Sequence, residues 1–178
     1  MIVLMGVAGA GKSMQGRLFA DEHGYAWIST GELFRVLVTG ERRQQMLEGK
    51  LLSDGEVIAM VQKSLNLINP DQEFLLDGFP RTIVQADWLL EEVKSGRLKM
   101  TAVFNLVASD DVVKSRLMKR GRQDDTEQAI ELRFTEYKTL TAPIIDLFHK
   151  AGVLVYDVNA DLDPASVHGE IMSHLYNK

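Results

Sequence analysis

The sequence contains no cysteine. That excludes disulfides and thiolate-bound zinc, and it fits a reducing compartment. There are only four histidines, at 23, 149, 168 and 174, scattered along the chain, so a structural metal site is not expected. No apolar run approaches the roughly 20 residues of a membrane span. A basic leader is also missing: Met1-Ile-Val-Leu-Met5 runs directly into a glycine loop that cleavage would destroy, so a signal peptide is not expected and the chain reads as cytoplasmic. Net positive charge is lacking too. At −5, with a pI near 5.4, the protein makes a poor nucleic-acid ligand unless its arginines are gathered locally. Repeats, low-complexity segments and long linkers are absent.

What is present suits one soluble domain: 178 residues, 46% hydrophobic and 25% charged. Short apolar runs at Ile2–Met5, Tyr25–Ile28, Phe74–Leu76, Ala102–Val107 and Val153–Val158 read as strands buried on both faces of a parallel sheet. Helical patterns separate them, over 12–23, 30–49, 53–68, 82–95, 109–120, 126–150 and 163–176. Ser53 with Glu56 reads as a capping box, and Pro164 suits a first helical turn. The alternation predicts an α/β fold. One connection is too long for a single crossover: about 45 residues join the second and third strands. The surplus predicts a small helical lobe over 29–68.

Gly6-Val-Ala-Gly-Ala-Gly11-Lys12-Ser13 fits G-x-x-x-x-G-K-[ST]. Glycines let backbone N–H groups wrap a phosphate chain, and the next helix aims its N-terminus at the same anion. Lys12 adds a full charge near the β and γ phosphates, and Ser13 can bind magnesium directly or through water. "ISTGELFR" offers Thr30 as a helix start and Arg35 a turn or two inside. "FLLDGFPRT" delivers Asp77 to a strand's C-terminal end, suited to ordering magnesium's water, with Gly78 and then Arg81 on a stiff loop, suited to gripping a phosphate by two N–H bonds. Gln85, four residues on, carries an amide able to read a base edge. Arg116, Arg120, Arg122 and Arg133 form the local positive cluster that phosphoryl transfer requires.

In their order, "GVAGAGKSMQG", "STGELFR", "GKLLSDGEVIAMVQ", "FLLDGFPRTIVQAD", "RGRQDDTEQAIELR" and "TAPIIDLF" resemble adenylate kinase, within the nucleoside monophosphate kinases. The resemblance spans nearly the whole chain. It implies a P-loop NTPase three-layer fold with a five-stranded parallel sheet (core 1–28, 69–120 and 127–178), a helical NMP-binding lobe at 29–68 and a very short lid at 121–126. It implies reversible Mg2+-dependent transfer from ATP to AMP giving ADP, by a monomer. Lys12, Arg81, Arg120, Arg122 and Arg133 would be catalytic. Gly9, Ala10, Gly11, Lys12, Ser13, Met14, Arg116 and Arg120 would bind ATP, with the backbone of 159–164 bordering its adenine. Thr30, Arg35, Leu52, Gly78, Arg81, Gln85, Arg122 and Arg133 would bind AMP. Ser13 and Asp77 would serve Mg2+, through water. Thr30-Gly31 and the run from Gly78 to Gln85 resemble the AMP-specific branch; a UMP/CMP kinase and a nucleotide-binding regulator without catalysis are the alternatives. The chain departs from the family pattern at Ala8, Ser13 and Met14 in the loop, and in the six residues of its lid.

Overall fold

The computed structural model describes residues 1–176. Five strands form one parallel sheet: β1 (Ile2–Met5), β2 (Ala26–Ser29), β3 (Phe74–Asp77), β4 (Ala102–Val107) and β5 (Val155–Asn159), in the order β2-β3-β1-β4-β5. The helices are α1 (Lys12–His23), α2 (Thr30–Leu37), α3 (Gly40–Leu47), α4 (Asp54–Leu65), α5 (Ile83–Lys94), α6 (Asp110–Arg120), α7 (Glu127–Glu136), α8 (Pro143–Lys150) and α9 (Pro164–Tyr176).

Successive strand residues point to opposite faces, so each strand feeds two cores. Ile2, Leu4, Leu75, Phe104 and Leu106 pack with Phe19 of α1, Leu117 of α6, Ile130 of α7 and Ile171 of α9. On the other face Val3, Met5, Leu76 and Val103 meet Phe34 of α2, Val57 and Val61 of α4, Leu89 of α5 and Phe148 of α8. Right-handed crossovers explain the sorting. β1 leads through α1 toward β2, whereas its neighbour β3 leads through α5 the other way, to β4. The two helices therefore leave on opposite faces, and a crevice opens between the C-terminal ends of β1 and β3. Register sets Leu4 beside Asp77, so the glycine loop and Asp77 border that crevice together. Gly6, at φ 130°, is fixed there by space as well: a Cβ would sit 2.5 Å from the Leu106 carbonyl oxygen.

Two predicted helices are broken. The 30–49 stretch divides at Val38 and Thr39, both β-branched and both extended, before Gly40 restarts the helix at φ 61°. The 126–150 stretch widens into a π turn over Tyr137–Thr141. Pro143 cannot donate to the ladder and its ring would crowd the carbonyl four residues back. The helix accommodates it by a wider bond, Ala142 N to Tyr137 O at 2.8 Å, and resumes with Pro143 in the first turn of α8. At Ser53 the capping pair forms differently: the hydroxyl donates to Glu56 Oε2 at 2.6 Å and accepts nothing from the first turn. Within 29–68, α2 and α4 contribute to the second core while α3 buries no residue.

Candidate active site

The loop between β1 and α1 lines one cleft, together with Lys12, Ser13, Met14, Asp77, Arg116 and Arg120. A second cleft lies under α2, bordered by Thr30, Arg35, Leu52, Gly78, Arg81, Gln85 and Arg133. Both clefts share Ala8, Gly31, Arg35 and Arg81. Gly31 lies at the junction, where a Cβ would stand 3.4 Å from Arg35 Nη1 and 3.8 Å from Arg81 Nη2. Two guanidinium groups thus flank the point where the clefts meet.

Lys12 folds back over its loop, donating to the Gly6 and Val7 carbonyls at 2.7 and 2.8 Å. Burial pushes its ammonium down to about 8; Asp77 opposes that shift, while Arg81, Arg120 and Arg133 reinforce it. Burial also lowers Arg81 and Arg35 from their ordinary value, Asp77 opposing for the first and Asp124 for the second. Both stay cationic, since a guanidinium starts far above neutral pH. Arg35 Nε is buried without a hydrogen-bond partner among the described residues.

Asp77 is 2% exposed, and its Oδ2 accepts from Ser13 Oγ at 2.7 Å and Ser29 Oγ at 2.9 Å. This all-oxygen set beside the phosphate loop fits a hard divalent cation that retains water, such as Mg2+.

Several of the expected site residues also bond within the protein. Thr30 Oγ1 donates to Gly78 O at 2.8 Å, pinning the turn that carries Arg81. Arg81 Nε bonds the same carbonyl at 2.8 Å. Gln85 has both amide ends engaged: Oε1 accepts from Arg81 N and Nε2 donates to Asp54 Oδ1, each at 2.8 Å. Arg116 gives its guanidinium to the loop after β5, bonding Ala160 O at 2.6 Å and Leu162 O at 2.9 Å. Arg116 itself lines the first cleft, whereas none of residues 159–164 does. Ala10 faces inward, its side chain in the core and its N–H on Val7 O, and does not line the cleft. Arg122 lines the first cleft, not the second.

Sequence inspection missed the acids that arrange these arginines. Asp125 accepts from Arg120 Nε and Nη2 at 2.8 and 2.6 Å and from Arg133 Nη1 at 3.2 Å. Asp124 accepts from Arg133 Nη2 at 2.6 Å, with Arg35 Nη2 at 3.5 Å. Burial would raise the Asp124 carboxyl, but Arg133 and Arg35 hold it below the usual range. Glu32 accepts from Arg122 at 2.9 Å and Arg35 at 3.2 Å. The available signal was the pair Asp124-Asp125 itself: an arginine cluster packed this closely needs counter-charges within it.

A strand, a glycine loop closed by lysine and serine, and arginines converging where two clefts meet define a P-loop phosphotransfer protein. The comparisons narrow the class. A family model described as adenylate kinase matches residues 4–153. An adenylate kinase of Corynebacterium urealyticum is 40% identical over 171 residues, covering 93% of this chain and 94% of the relative. One from Prochlorococcus marinus strain NATL1A is 37% identical, with 91% and 92% covered. Another, from Corynebacterium glutamicum strain R, is 34% identical over 98% of both chains. The chain belongs to the adenylate kinase family.

Proposed function

We propose that the protein catalyses reversible phosphoryl transfer from ATP to AMP, giving two ADP. The observation that carries this reading is the shared border of the two clefts at Arg35 and Arg81. Donor and acceptor phosphates placed in the two clefts would meet between those guanidinium groups.

The loop amides and Lys12 hold the β and γ phosphates of ATP. Arg35 and Arg81 hold the phosphate of AMP. An AMP phosphate oxygen attacks the γ phosphorus, and the bond from that phosphorus to the β–γ bridging oxygen breaks, leaving ADP on each side. Positioning and charge neutralisation drive such a step, and no side-chain nucleophile is needed. Lys12, Arg120, Arg122 and Arg133 offset the charge on the transferring oxygens. Ser13 and Asp77 would hold a hydrated Mg2+, which supplies further neutralisation of the donor phosphates. Thr30 and Gln85 act on AMP by fixing the Gly78–Arg81 turn, with one lone pair and one N–H of Gln85 left for the base. Leu51 and Leu52 border the same cleft.

We place the enzyme in the cytoplasm as a monomer. Among the described residues no helix is long and apolar enough to cross a membrane. A coupled assay across AMP, UMP, CMP and GMP tests the assignment. Transfer to AMP is expected; transfer confined to pyrimidine monophosphates would make it a UMP/CMP kinase, and none would leave a nucleotide-binding regulator.

Two further outcomes are expected. Lys12 loses its charge as pH rises through about 8. ATP capture by the free enzyme should therefore weaken above that pH, while bound phosphates favour the ammonium. A pH profile should show kcat/KM for ATP declining at lower pH than kcat; coincident limbs would contradict the assignment. The second concerns water. Only six residues, 121–126, separate α6 from α7, which leaves little chain to cover the donor phosphates. Slow ATP hydrolysis without AMP is expected. If phosphate release stays at background while transfer to AMP is rapid, α2 seals the site instead, through the Glu32–Arg122 and Arg35–Asp124 pairs.

A further inference from the structure

Far from the clefts, at the other end of α1, the protein gathers three potential metal ligands that phosphoryl transfer does not use. Glu22 and His23 end α1, and His168 reaches across from α9. One ligand atom from each lies within 4.8 Å of the others. Along α1, His23 stands roughly 16 Å from Lys12 at the usual rise per residue, so the cluster is separate from the phosphate loop.

The hydrogen bonds dictate which atoms face one another. Gln15 Nε2 donates to Pro164 O at 2.9 Å, which turns Oε1 toward His168. An amide oxygen only accepts, so His168 Nδ1 carries the hydrogen in their 2.9 Å bond. That leaves Nε2 at 3.1 Å from Glu22 Oε2. In a neutral ring both atoms are acceptors, and two acceptors so close require a cation between them: a proton on the ring or a metal ion. Bonds of about 2.0–2.1 Å to a tetrahedral ion set its ligands about 3.3 Å apart, close to the observed separation.

His23 favours the metal. A shared proton joins only His168 and Glu22, whereas a ring nitrogen of His23 also lies within 4.8 Å of a ligand atom of each. That ring stacks on Tyr25 at 5.3 Å, and Phe19 packs at 4.7 Å from His168. Glu22 and His23 are exposed and free to close on an ion, while buried His168 is held in place by Gln15. Such an outer hydrogen bond orients a metal-binding imidazole.

We propose that Glu22, His23 and His168 bind a divalent transition-metal ion of the zinc, cobalt and nickel class, linking α1 to α9. Two imidazoles and a carboxylate suit those ions, whereas Mg2+ prefers an all-oxygen shell. Protonation of the rings competes, so binding weakens as pH falls.

Titration of the full chain with Co2+, in excess Mg2+, tests the site by its visible absorption. One equivalent should bind, be displaced by Zn2+ and raise the melting temperature. His23→Gln and His168→Gln should each weaken binding by about 100-fold or more, and Gln15→Leu by about 10–100-fold. His149→Gln and His174→Gln should leave it unchanged. No stoichiometric binding would overturn the proposal. So would binding that survives loss of His23 and His168, or binding that Mg-nucleotide displaces. Should His168→Gln fail to fold, exposed His23 decides the matter alone.

Discussion

Lys12→Met is expected to reduce kcat by about 10²–10³-fold or more without lowering thermal stability. The two halves of that expectation have separate origins. The charge that meets the donor phosphates disappears, along with stabilisation of the transferring group. Yet the same ammonium is costly to the folded protein. Burial and the nearby Arg81, Arg120 and Arg133 push its pKa down to about 8, so the native state disfavours the charged form. Methionine fills similar space without that charge, although the bonds to the Gly6 and Val7 carbonyls are lost. Strain of this kind at a functional site is the usual trade between stability and activity. A coupled assay with a thermal melt checks both parts. Near-normal turnover would remove Lys12 from the phosphate site, and a collapsed melt would show that its two carbonyl bonds dominate.

The second large effect is expected at Asp125. Its side chain is fully buried and bonds Arg120 through two nitrogens, Arg133 through one, and the Arg122 backbone N–H at 3.2 Å. Asp125→Ala would leave Arg120 and Arg133 facing each other without their common counter-charge. Breaking a buried ion pair from one side costs about 3–5 kcal/mol, and that loss should appear in urea denaturation. Turnover should fall as well, because Arg120 loses the partner that aims it and Arg133 keeps only Asp124. A variant less than about 1 kcal/mol below wild type, with unchanged kcat, would reduce Asp125 to an ordinary loop acid.

Much of this was legible along the chain. The inner strands are mostly apolar runs, because a parallel sheet covered on both faces leaves them no polar side to alternate, whereas edge strand β5 exposes Asp157. The phosphate loop is local: its glycines, Lys12 and Ser13 are neighbours, so spacing alone carries the chemistry. The breaks at Val38 and at the Tyr137–Thr141 turn were not legible. There, hydrophobic periodicity continues through residues whose backbone has to leave the helix, and only Pro143 hinted at the second. The bonds of Arg116 were not legible either, because a sequence shows a charge but not its partner. The carbonyls it bonds lie more than forty residues later.

The residues alone determined the α/β class, the phosphate loop, Asp77 at a strand end and an arginine cluster large enough for phosphoryl transfer, all features set by local spacing and side-chain chemistry. Tertiary structure decided where each charge goes. It brought Arg35 and Arg81 to one junction, tied Arg120 and Arg133 to Asp125, and set His168 against Glu22 across 146 positions. Such pairings follow from crossovers and helix packing, and a linear pattern does not encode which distant acid will neutralise which base.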